Sequence, residues 1–273
     1  MKKGFILLLF AAGSLLWSCN GNDESDESGD DGYAAIPAPL NLSFQVINQH
    51  THDTTAFTEG FTFHEGKLYE STGAPEPPAV TSDTWIASID LQTGKYDRKV
   101  DLGKAYFGEG ITFLNGKLYQ LTYRTNVGFV YDAKTFRKLG QFSYRGEGWG
   151  LTTDGKSLIM SQGTSNLYYI NPDSLTFIKL LSIQNNNGFA NNLNELEYIN
   201  GFIYANEWLT SNILKIDPAT GYVVGKLDLS KQVAEVKTKH PAAEELNGIA
   251  YDSTSGKTFI TGKKWPVIYE IKW

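Results

Sequence analysis

The stretch Ile111-Thr-Phe-Leu-Asn-Gly-Lys-Leu-Tyr-Gln120 decides the fold, because it places two short apolar strands on either side of an Asn-Gly turn. An Asn-Gly pair between alternating apolar residues is the strongest local signal for a β-hairpin. A third strand is predicted at residues 127–132, a turn at Lys134-Thr135, and a fourth strand at residues 138–144. The segment therefore predicts four consecutive antiparallel strands.

The same unit recurs along the chain. Each copy opens on a short motif whose second residue is usually Gly, and most copies continue into an Asn-Gly, Asp-Gly or Glu-Gly turn. The copies begin at Glu59-Gly60-Phe61, Glu109-Gly110-Ile111, Trp149-Gly150-Leu151, Asn194-Glu195-Leu196 and Asn247-Gly248-Ile249. Four short strands at a period of about 40 to 55 residues are typical of a propeller blade. We therefore predict an all-β, five-bladed β-propeller.

Closure of the ring is predicted from the two ends of the repeat region. The fifth copy is short of an outer strand, whereas residues 41–48 alternate like a strand ahead of the first copy. We expect this N-terminal strand to complete the last blade, which leaves no open edge there. Residues 231–245 have helical periodicity and are interpreted as an insertion. A β-sandwich or an open solenoid is the alternative architecture.

The first residues have the features of an export signal. Lys2 and Lys3 precede an apolar run at residues 5–16, which is shorter than a membrane span requires. The run ends in Leu16-Trp17-Ser18-Cys19, which resembles a lipoprotein lipobox, and Cys19 is the only cysteine in the chain. We predict a lipoprotein signal peptide at residues 1–18 and lipidation of Cys19. An ordinary secretory signal that ends near a cysteine is the alternative.

An acidic linker follows the cysteine. Residues 20–32 contain six Asp or Glu and no large apolar residue, so they cannot bury enough surface to fold. We expect a flexible tether at residues 19–39, containing Pro37 and Pro39, and the propeller at residues 40–273. The acidic run resembles the surface-export signal of some Gram-negative lipoproteins, with a periplasmic spacer as the alternative. Both interpretations place an exported, lipid-anchored domain in the cell envelope.

Composition limits the class of partner. The last ~230 residues are enough for one domain with a substantial core. The formal charge of −6 becomes −8 without the two lysines of the signal, and the chain has no basic cluster. This balance argues against nucleic acid as a partner. We expect a monomer that contacts the membrane only through its lipid anchor.

Repeat symmetry predicts a shared site at one mouth of the central channel. The first strand of each blade lines the channel, so the residues that lead into these strands become neighbours: Glu59, Glu109, Trp149, Asn194 and Asn247. The second strands return to the same mouth and end at Gly73, Tyr123, Gly163, Trp208 and either Lys263 or Lys264. Carboxylates, amides, a cation and aromatic rings would thus converge, as in a ligand pocket.

Motifs at these same positions resemble the glutaminyl-peptide cyclotransferases of plant and bacterial type. The matching stretches are Phe57-Thr-Glu-Gly60, Tyr69-Glu-Ser-Thr-Gly73, Phe107-Gly-Glu-Gly110, Gly148-Trp-Gly150, Leu193-Asn-Glu-Leu-Glu197, Ala205-Asn206 with Trp208, Leu246-Asn-Gly-Ile-Ala250 and Thr261-Gly-Lys-Lys-Trp-Pro266. The resemblance covers essentially the whole predicted domain and implies a five-bladed propeller, in agreement with the repeat count. It also implies an acyltransferase that cyclises the N-terminal glutamine of peptides or proteins to pyroglutamate and releases ammonia.

The resemblance implies roles for individual residues. It assigns the catalytic carboxylate to Glu109 and selects Lys263 over Lys264. The reaction needs a donor to the developing oxyanion, for which Lys263 and Asn194 are candidates, with Trp indole groups as helpers. Substrate-binding roles are expected for Glu59, Phe107, Tyr123, Trp149 and Trp208.

Two positions depart from the plant members. These have Gln in place of Glu59 and Trp in place of Tyr123. Tyr123 can still form a pocket wall. Glu59 adds a second carboxylate, which would contact the substrate ammonium or shift substrate preference, and like-charge repulsion with Glu109 would raise one of the two pKa values.

The scheme needs no cofactor and no catalytic metal. Among the four histidines, His50 and His52 alternate at a strand end without a convincing third ligand in the sequence, and His64 and His240 lie apart from them. A structural Ca²⁺ on the propeller loops is compatible with their Asp residues and carbonyl groups, but the sequence assigns it no position. The main alternative is a non-enzymatic, surface-anchored module that binds peptide or glycan. A Ca²⁺-dependent lactonase ranks lower, because it would need further acids at the ring.

Overall fold

The structure is a computed structural model that describes residues 35–73 and 84–273. The predicted signal peptide, Cys19 and most of the predicted tether lie outside the described residues. Residues Ile36–Trp273 form one compact unit, which begins with the short strands β1 (Leu40–Asn41) and β2 (Gln45–Thr51). Within the described ranges, no helix has the length and apolar character needed to cross a membrane.

Five four-stranded antiparallel blades follow in chain order, and their first strands contact one another around a common axis. Blade one comprises β3 (Phe57–His64), β4 (Lys67–Gly73), β5 (Thr84–Asp90) and β6 (Lys95–Gly103). Blade two comprises β7 (Gly108–Leu114), β8 (Lys117–Thr122), β9 (Val127–Asp132) and β10 (Lys138–Ser143). Blade three comprises β11 (Leu151–Thr153), β12 (Leu158–Met160), β13 (Asn166–Ile170) and β14 (Phe177–Ser182).

The second half of the ring carries two additions. A small hairpin, β15 (Gln184–Asn185) and β16 (Gly188–Phe189), precedes blade four. Blade four comprises β17 (Leu193–Ile199), β18 (Phe202–Glu207), β19 (Asn212–Ile216) and β20 (Val223–Asp228). The helix α1 (Ser230–Lys239) follows. Blade five contains β21 (Leu246–Asp252), β22 (Lys257–Gly262) and β23 (Val267–Lys272). The five-bladed propeller predicted from the repeat is confirmed.

The N-terminal strand closes the ring, as expected. Strand β2 pairs antiparallel with β23, with Gln45 opposite Lys272 and Thr51 opposite Val267. Strand β1, which the sequence pattern did not indicate, pairs in parallel with the outer strand of blade four. The predicted insertion is helical only in its first part, because His240 precedes a proline, and a residue in that position is disfavoured in the helical conformation.

Turn chemistry and close packing explain the repeat motif. Asn115 and Gly116 both have positive φ, 51° and 71°, which is the geometry of the favoured two-residue hairpin turn. The Gly in the opening motif of most copies is required by close packing and not by a turn. A Cβ added at Gly60 would lie 2.7 Å from the backbone nitrogen of Ile111, and one at Gly150 would lie 2.2 Å from the carbonyl oxygen of Asn194. Glycine therefore lets neighbouring inner strands approach closely at the channel.

Candidate active site

Hydrogen bonds between strands bring the two predicted rings of residues to one mouth of the channel. Four of the five second-ring residues lie beside the segment that leads into the first strand of their own blade, whereas Gly163 donates to Leu193 O of blade four at 3.2 Å. Phe57 is opposite Gly73 in the β3–β4 register. In three further blades, the backbone N–H of the second-ring residue donates to a carbonyl oxygen of that segment: Tyr123 to Phe107 at 3.0 Å, Trp208 to Asn192 at 2.8 Å and Lys263 to Glu245 at 2.9 Å.

A buried ion pair joins blades one and five at this mouth. The Nζ of Lys263 is 2.7 Å from Oε1 of Glu59, and the two side chains are only 8% and 4% exposed. The other carboxylate oxygen of Glu59 accepts a hydrogen bond from Asn247 Nδ2 at 3.0 Å. Lys264 instead pairs with Glu244 in a partly exposed position. Of the two lysines that the repeat left open, Lys263 is therefore the one beside the buried carboxylate.

Burial and mutual charge shift the pKa values of this cluster. Burial raises the pKa of Glu59 to about 7, against the opposing charge of Lys263. The pKa of Glu109 lies well above its ordinary value, because of burial and then the charge of Glu59. Burial alone would lower the pKa of Lys263, but the charges of Glu59 and Glu109 outweigh it and leave that pKa raised. With two carboxyl groups and one ammonium, the cluster favours a proton on one acid near neutral pH.

Several buried polar atoms at the mouth have no hydrogen-bond partner among the described residues. These are Oε2 of Glu109, Oδ1 of Asn194, Oδ1 of Asn247 and Nδ2 of Asn206. Buried polar atoms in native proteins are nearly always hydrogen-bonded, so unpaired ones call for an explanation. A polar ligand in the mouth would supply the missing partners, which makes this cluster the best candidate for a binding site.

An arc of aromatic rings adjoins the charged cluster. Successive ring centroids are 5.4 to 6.5 Å apart along the series Phe57, Phe107, Tyr123, Trp149 and Trp208. The Nζ of Lys263 lies 4.6 Å from the ring centroid of Phe57, which connects the arc to the ion pair. The four predicted wall residues thus form one continuous surface. Phe57 was not among the predicted site residues, although it stands two positions before Glu59, as Phe107 does before Glu109.

Two glycines of the second ring make room for this arc. A Cβ added at Gly73 would lie 2.2 Å from the ring of Phe107, and one at Gly163 would lie 2.7 Å from the ring of Trp149. Side chains at these two positions would occupy the space that the aromatic rings now fill. The glycines therefore contribute to the site by allowing Phe107 and Trp149 to pack against the ends of the second strands.

A hydrogen-bond network at the solvent-facing rim contacts two of the aromatic side chains, Tyr123 and Trp149. Trp149 Nε1 donates to Glu147 Oε2 at 3.1 Å, and Arg124 Nε donates to Glu147 Oε1 at 3.1 Å. Arg124 also donates to the hydroxyl of Tyr123 at 2.9 Å. The indole N–H of Trp149, expected to help at the oxyanion, is thus already engaged by Glu147. The network instead fixes the orientation of both rings.

Two buried carboxylates below the mouth were not identified as site residues from the sequence. Glu195 occupies the position that is Gly in the other copies, and its oxygens accept from the backbone amides of Phe61 at 3.1 Å and Ile249 at 2.8 Å. Glu197 accepts from the backbone amide of Tyr251 at 2.9 Å. Burial raises the pKa of Glu195 well above its ordinary value and that of Glu197 to about 8. Neither acid stands at a ring position of the repeat, which in this copy is Asn194.

The carboxylates deep in the channel have structural partners. Their hydrogen bonds run from blade four to blades one and five, and to Thr152 Oγ1 of blade three at 3.3 Å, so they bind inner strands together. Within residues 35–73 and 84–273, no three His, Cys, Asp or Glu side chains are placed to hold a metal ion together. His52 contacts Glu70 at 3.1 Å in a separate buried pair outside the mouth.

Comparison with known proteins agrees with this geometry. The family model described as glutamine cyclotransferase matches residues 16–273. The chain belongs to this family. A glutaminyl-peptide cyclotransferase from Arabidopsis thaliana is 38% identical to this chain over 231 residues, which cover 84% of this chain and 70% of that protein. The crystal structure of Myxococcus xanthus glutaminyl cyclase superposes with a TM-score of 0.77 at 34% identity, covering 86% of this chain and 97% of the other. The family resemblance seen in the motifs is confirmed.

Proposed function

We propose that this protein converts the N-terminal glutamine of peptides or proteins to pyroglutamate and releases ammonia. The observation that carries the proposal is a buried carboxylate whose Oε2, on Glu109, has no hydrogen-bond partner among the described residues, in a mouth that also holds the Glu59–Lys263 ion pair and an arc of aromatic rings. The names of the plant relative and of the Myxococcus structure support the same reaction.

The substrate itself supplies the nucleophile. Its α-amine attacks the Cδ of the side-chain amide, a C–N bond forms in a five-membered ring, and the bond from Cδ to the amide nitrogen breaks. Covalent connectivity already brings these atoms close, so the pocket has to hold the folded-back conformer. An α-amine has a pKa of roughly 7.7 to 8.0, so much of it is protonated and unreactive at neutral pH. A base is required.

Glu109 is the base in this proposal. Its raised pKa moves its proton exchange from the acid range toward neutral pH, and its Oε2, which has no partner among the described residues, can face the amine. The carboxylate accepts the proton of the attacking amine and returns it to the nitrogen that leaves as ammonia. Such general acid–base catalysis contributes about 10² to 10⁴ in rate.

Lys263 and Asn194 are the proposed donors to the oxyanion on Cδ. An ammonium has three N–H donors, and Glu59 Oε1 engages Lys263 Nζ at 2.7 Å, which leaves donors for the oxyanion. The Asn194 amide can present its NH₂ group in place of the unpaired Oδ1 by a half-turn. Phe107, Tyr123, Trp149 and Trp208 would enclose the flat amide and exclude water.

Glu59 has a separate role in this scheme. It holds the charge of Lys263 at 2.7 Å, so Lys263 does not form its ion pair with Glu109. A direct Lys263–Glu109 pair would stabilise the ionised acid and lower its pKa. Glu59 therefore keeps the Glu109 carboxyl available to exchange protons near neutral pH.

The scheme draws its base, its oxyanion donors and its pocket walls from the chain, and we propose that catalysis needs no metal ion. The test is ammonia release from a dipeptide that begins with Gln, with and without EDTA. We expect release that is insensitive to EDTA and at least 10²-fold slower in Glu109→Gln. The same dipeptide with an acetylated α-amine is the matched control, because it lacks the nucleophile. Binding without release by the folded wild-type protein would contradict the proposal and favour a binding module.

We also propose that the protein is a monomer anchored in the cell envelope by a lipid on Cys19. The lipobox-like Leu16-Trp17-Ser18-Cys19 and the acidic run after it support this placement. Labelled fatty acid should enter the wild-type protein and not Cys19→Ala, and the wild-type protein should fractionate with membranes. Equal labelling of both proteins, or release of the wild type into the soluble fraction, would contradict the anchor.

A further inference from the structure

A buried histidine–glutamate pair outside the mouth contacts the segments that carry Glu59 and Lys263, and it has no part in the chemical scheme. His52 is 3% exposed and Glu70 is 0% exposed. The Nε2 of His52 is 3.1 and 3.2 Å from the two carboxylate oxygens of Glu70. Its Nδ1 is 2.7 Å from the carbonyl oxygen of Trp265. Both ring nitrogens therefore face oxygen atoms at hydrogen-bonding distance.

The hydrogen-bond partners of this pair favour its charged form. A carbonyl oxygen can only accept, so Nδ1 of His52 carries a proton. Glu70 already accepts from the hydroxyls of Thr58 at 2.6 Å and Tyr96 at 3.0 Å, as an ionised carboxylate does. With Glu70 ionised, Nε2 donates as well, which makes His52 an imidazolium. A charged pair taken out of water is maintained only when such additional hydrogen bonds satisfy it.

The pair is connected to both halves of the Glu59–Lys263 cluster. Glu70 binds the hydroxyl of Thr58, the residue before Glu59. His52 binds the carbonyl of Trp265, two residues after Lys263. Two further hydrogen bonds join the same two segments: His52 N to Pro266 O at 3.1 Å and Lys264 N to Ala56 O at 2.8 Å. This seam is also where blade five meets blade one.

We infer that His52 and Glu70 are positioning residues, which as an ion pair hold the Lys263 loop of blade five against the Glu59 strand of blade one. The kinetic part of this inference rests on the proposed cyclotransferase function. The structural part does not, because the contacts connect the two segments whatever reaction they serve. Loss of the pair would let Lys263 move relative to Glu109, and a misplacement of about 1 Å can cost on the order of 10² in rate.

The inference gives a direction for the dependence on pH. Burial alone would lower the pKa of His52, but the charge and hydrogen bond of Glu70, the Trp265 carbonyl and the charge of Asp53 outweigh it and raise that pKa. The other polar groups that face the pair are the hydroxyls of Thr58, Tyr96 and Thr261. Because the folded-state pKa is raised, the stabilisation is fully present below the ordinary value of about 6.5. It is lost as the pH rises through the raised pKa.

Two variants and a matched control test the inference through kinetics. His52→Asn keeps a donor near the position of Nδ1 and removes Nε2, and Glu70→Gln removes the charge of the acceptor. Glu197→Gln is the control, because it replaces another buried carboxyl group, deeper in the channel, with an amide of the same size. We expect kcat to fall about 10- to 100-fold in both test variants with little change in KM, and the alkaline limb of kcat to move. The control should keep the wild-type kcat and pH profile.

A measurement on the folded protein covers the case in which these variants do not fold. Substituting Asn for His50, His64 and His240 leaves His52 as the only histidine. Nitrogen-15 NMR should then show both ring nitrogens protonated at pH 7. A neutral ring at that pH would overturn the inference, and so would wild-type kcat and pH profile in His52→Asn and Glu70→Gln. Absence of turnover in the wild-type protein would count against the proposed function, whereas the NMR result would still decide the ion pair.

Discussion

Replacing Glu59 by Gln separates the two carboxylates of the mouth. The side chain keeps its size, and the plant members that this chain resembles have Gln at the same position. The change removes the carboxylate that lies 2.7 Å from Lys263 Nζ. At an effective dielectric constant of 20, two unit charges at that separation interact by about 6 kcal/mol. Lys263 is left without its buried counter-charge, and Glu109 becomes the acid that pairs with it.

The expected result is a shift of the acid limb of kcat/KM to lower pH. The Glu109 pKa falls for two reasons, because the repelling charge of Glu59 is gone and the attraction of Lys263 is no longer shared. A nearby opposite charge lowers a carboxyl pKa by about 1 to 3 units, and each unit corresponds to about 1.4 kcal/mol. As the pH falls, an acid with a lower pKa keeps its base form longer. The limb should therefore move by about 1 to 3 pH units.

Ammonia release from a Gln-initiated dipeptide, measured from about pH 4 to pH 9, gives this profile. The wild-type limb belongs to the coupled Glu59–Glu109 pair rather than to either residue, whereas the variant limb should fit a single proton. Glu65→Gln is the matched control, because it removes one negative charge from an exposed turn at the opposite end of blade one. An unchanged limb in Glu59→Gln would refute the reasoning, and so would an equal shift in the control.

Two further predictions follow from the packing of the site and the channel. Gly73→Ala should displace the Phe107 ring and lower kcat/KM about 10-fold or more, because the added Cβ would lie 2.2 Å from that ring. Gly140→Ala is the control, and it should leave kcat/KM unchanged because its added Cβ would have no atom within 4 Å. Glu197→Gln should flatten the decline in unfolding free energy between about pH 4.5 and pH 8, since the raised folded-state pKa of about 8 makes ionisation of Glu197 costly across that interval. Thermal melts of the wild type and the variant at several pH values measure this decline. If the unfolding free energy fell equally with pH in both proteins, Glu197 would not be its cause.

The parts of the fold that depend on local sequence were predictable. Asn115-Gly116 specifies a hairpin through the backbone conformation that these two residues adopt. Five copies of one unit then give five blades. Pairing of the N-terminal strand with blade five followed from the short fifth copy and from the cost of an open edge.

The positions of residues around the mouth were predictable from the same symmetry, but many of their contacts were not. Equivalent positions in successive blades become neighbours, so Glu59 and Lys263 could be placed at one mouth. The position of a residue within the repeat does not determine how far its side chain extends into the channel. It therefore gave no sign that Asn247 binds Glu59 or that the Glu195 carboxylate crosses the channel to two other blades.

Pairs between unrelated positions were the hardest to predict. His52 and Glu70 lie on different blades and at no equivalent repeat position, so neither symmetry nor spacing connects them. The contact of Trp149 with Glu147 is close in sequence, but it depends on the rotamer that the indole adopts at the solvent-facing rim. Such contacts are set by tertiary packing, which sequence patterns do not resolve.

The most direct test of the proposed site is a crystal structure of Glu109→Gln soaked with a Gln-initiated peptide. The substitution slows turnover and preserves the shape of the side chain. The account predicts the peptide α-amine within about 3.2 Å of an oxygen or nitrogen of the residue-109 side chain, with the glutamine amide between the aromatic rings and its oxygen facing Lys263 or Asn194. A peptide bound outside the mouth, or with its amine directed away from residue 109, would contradict it.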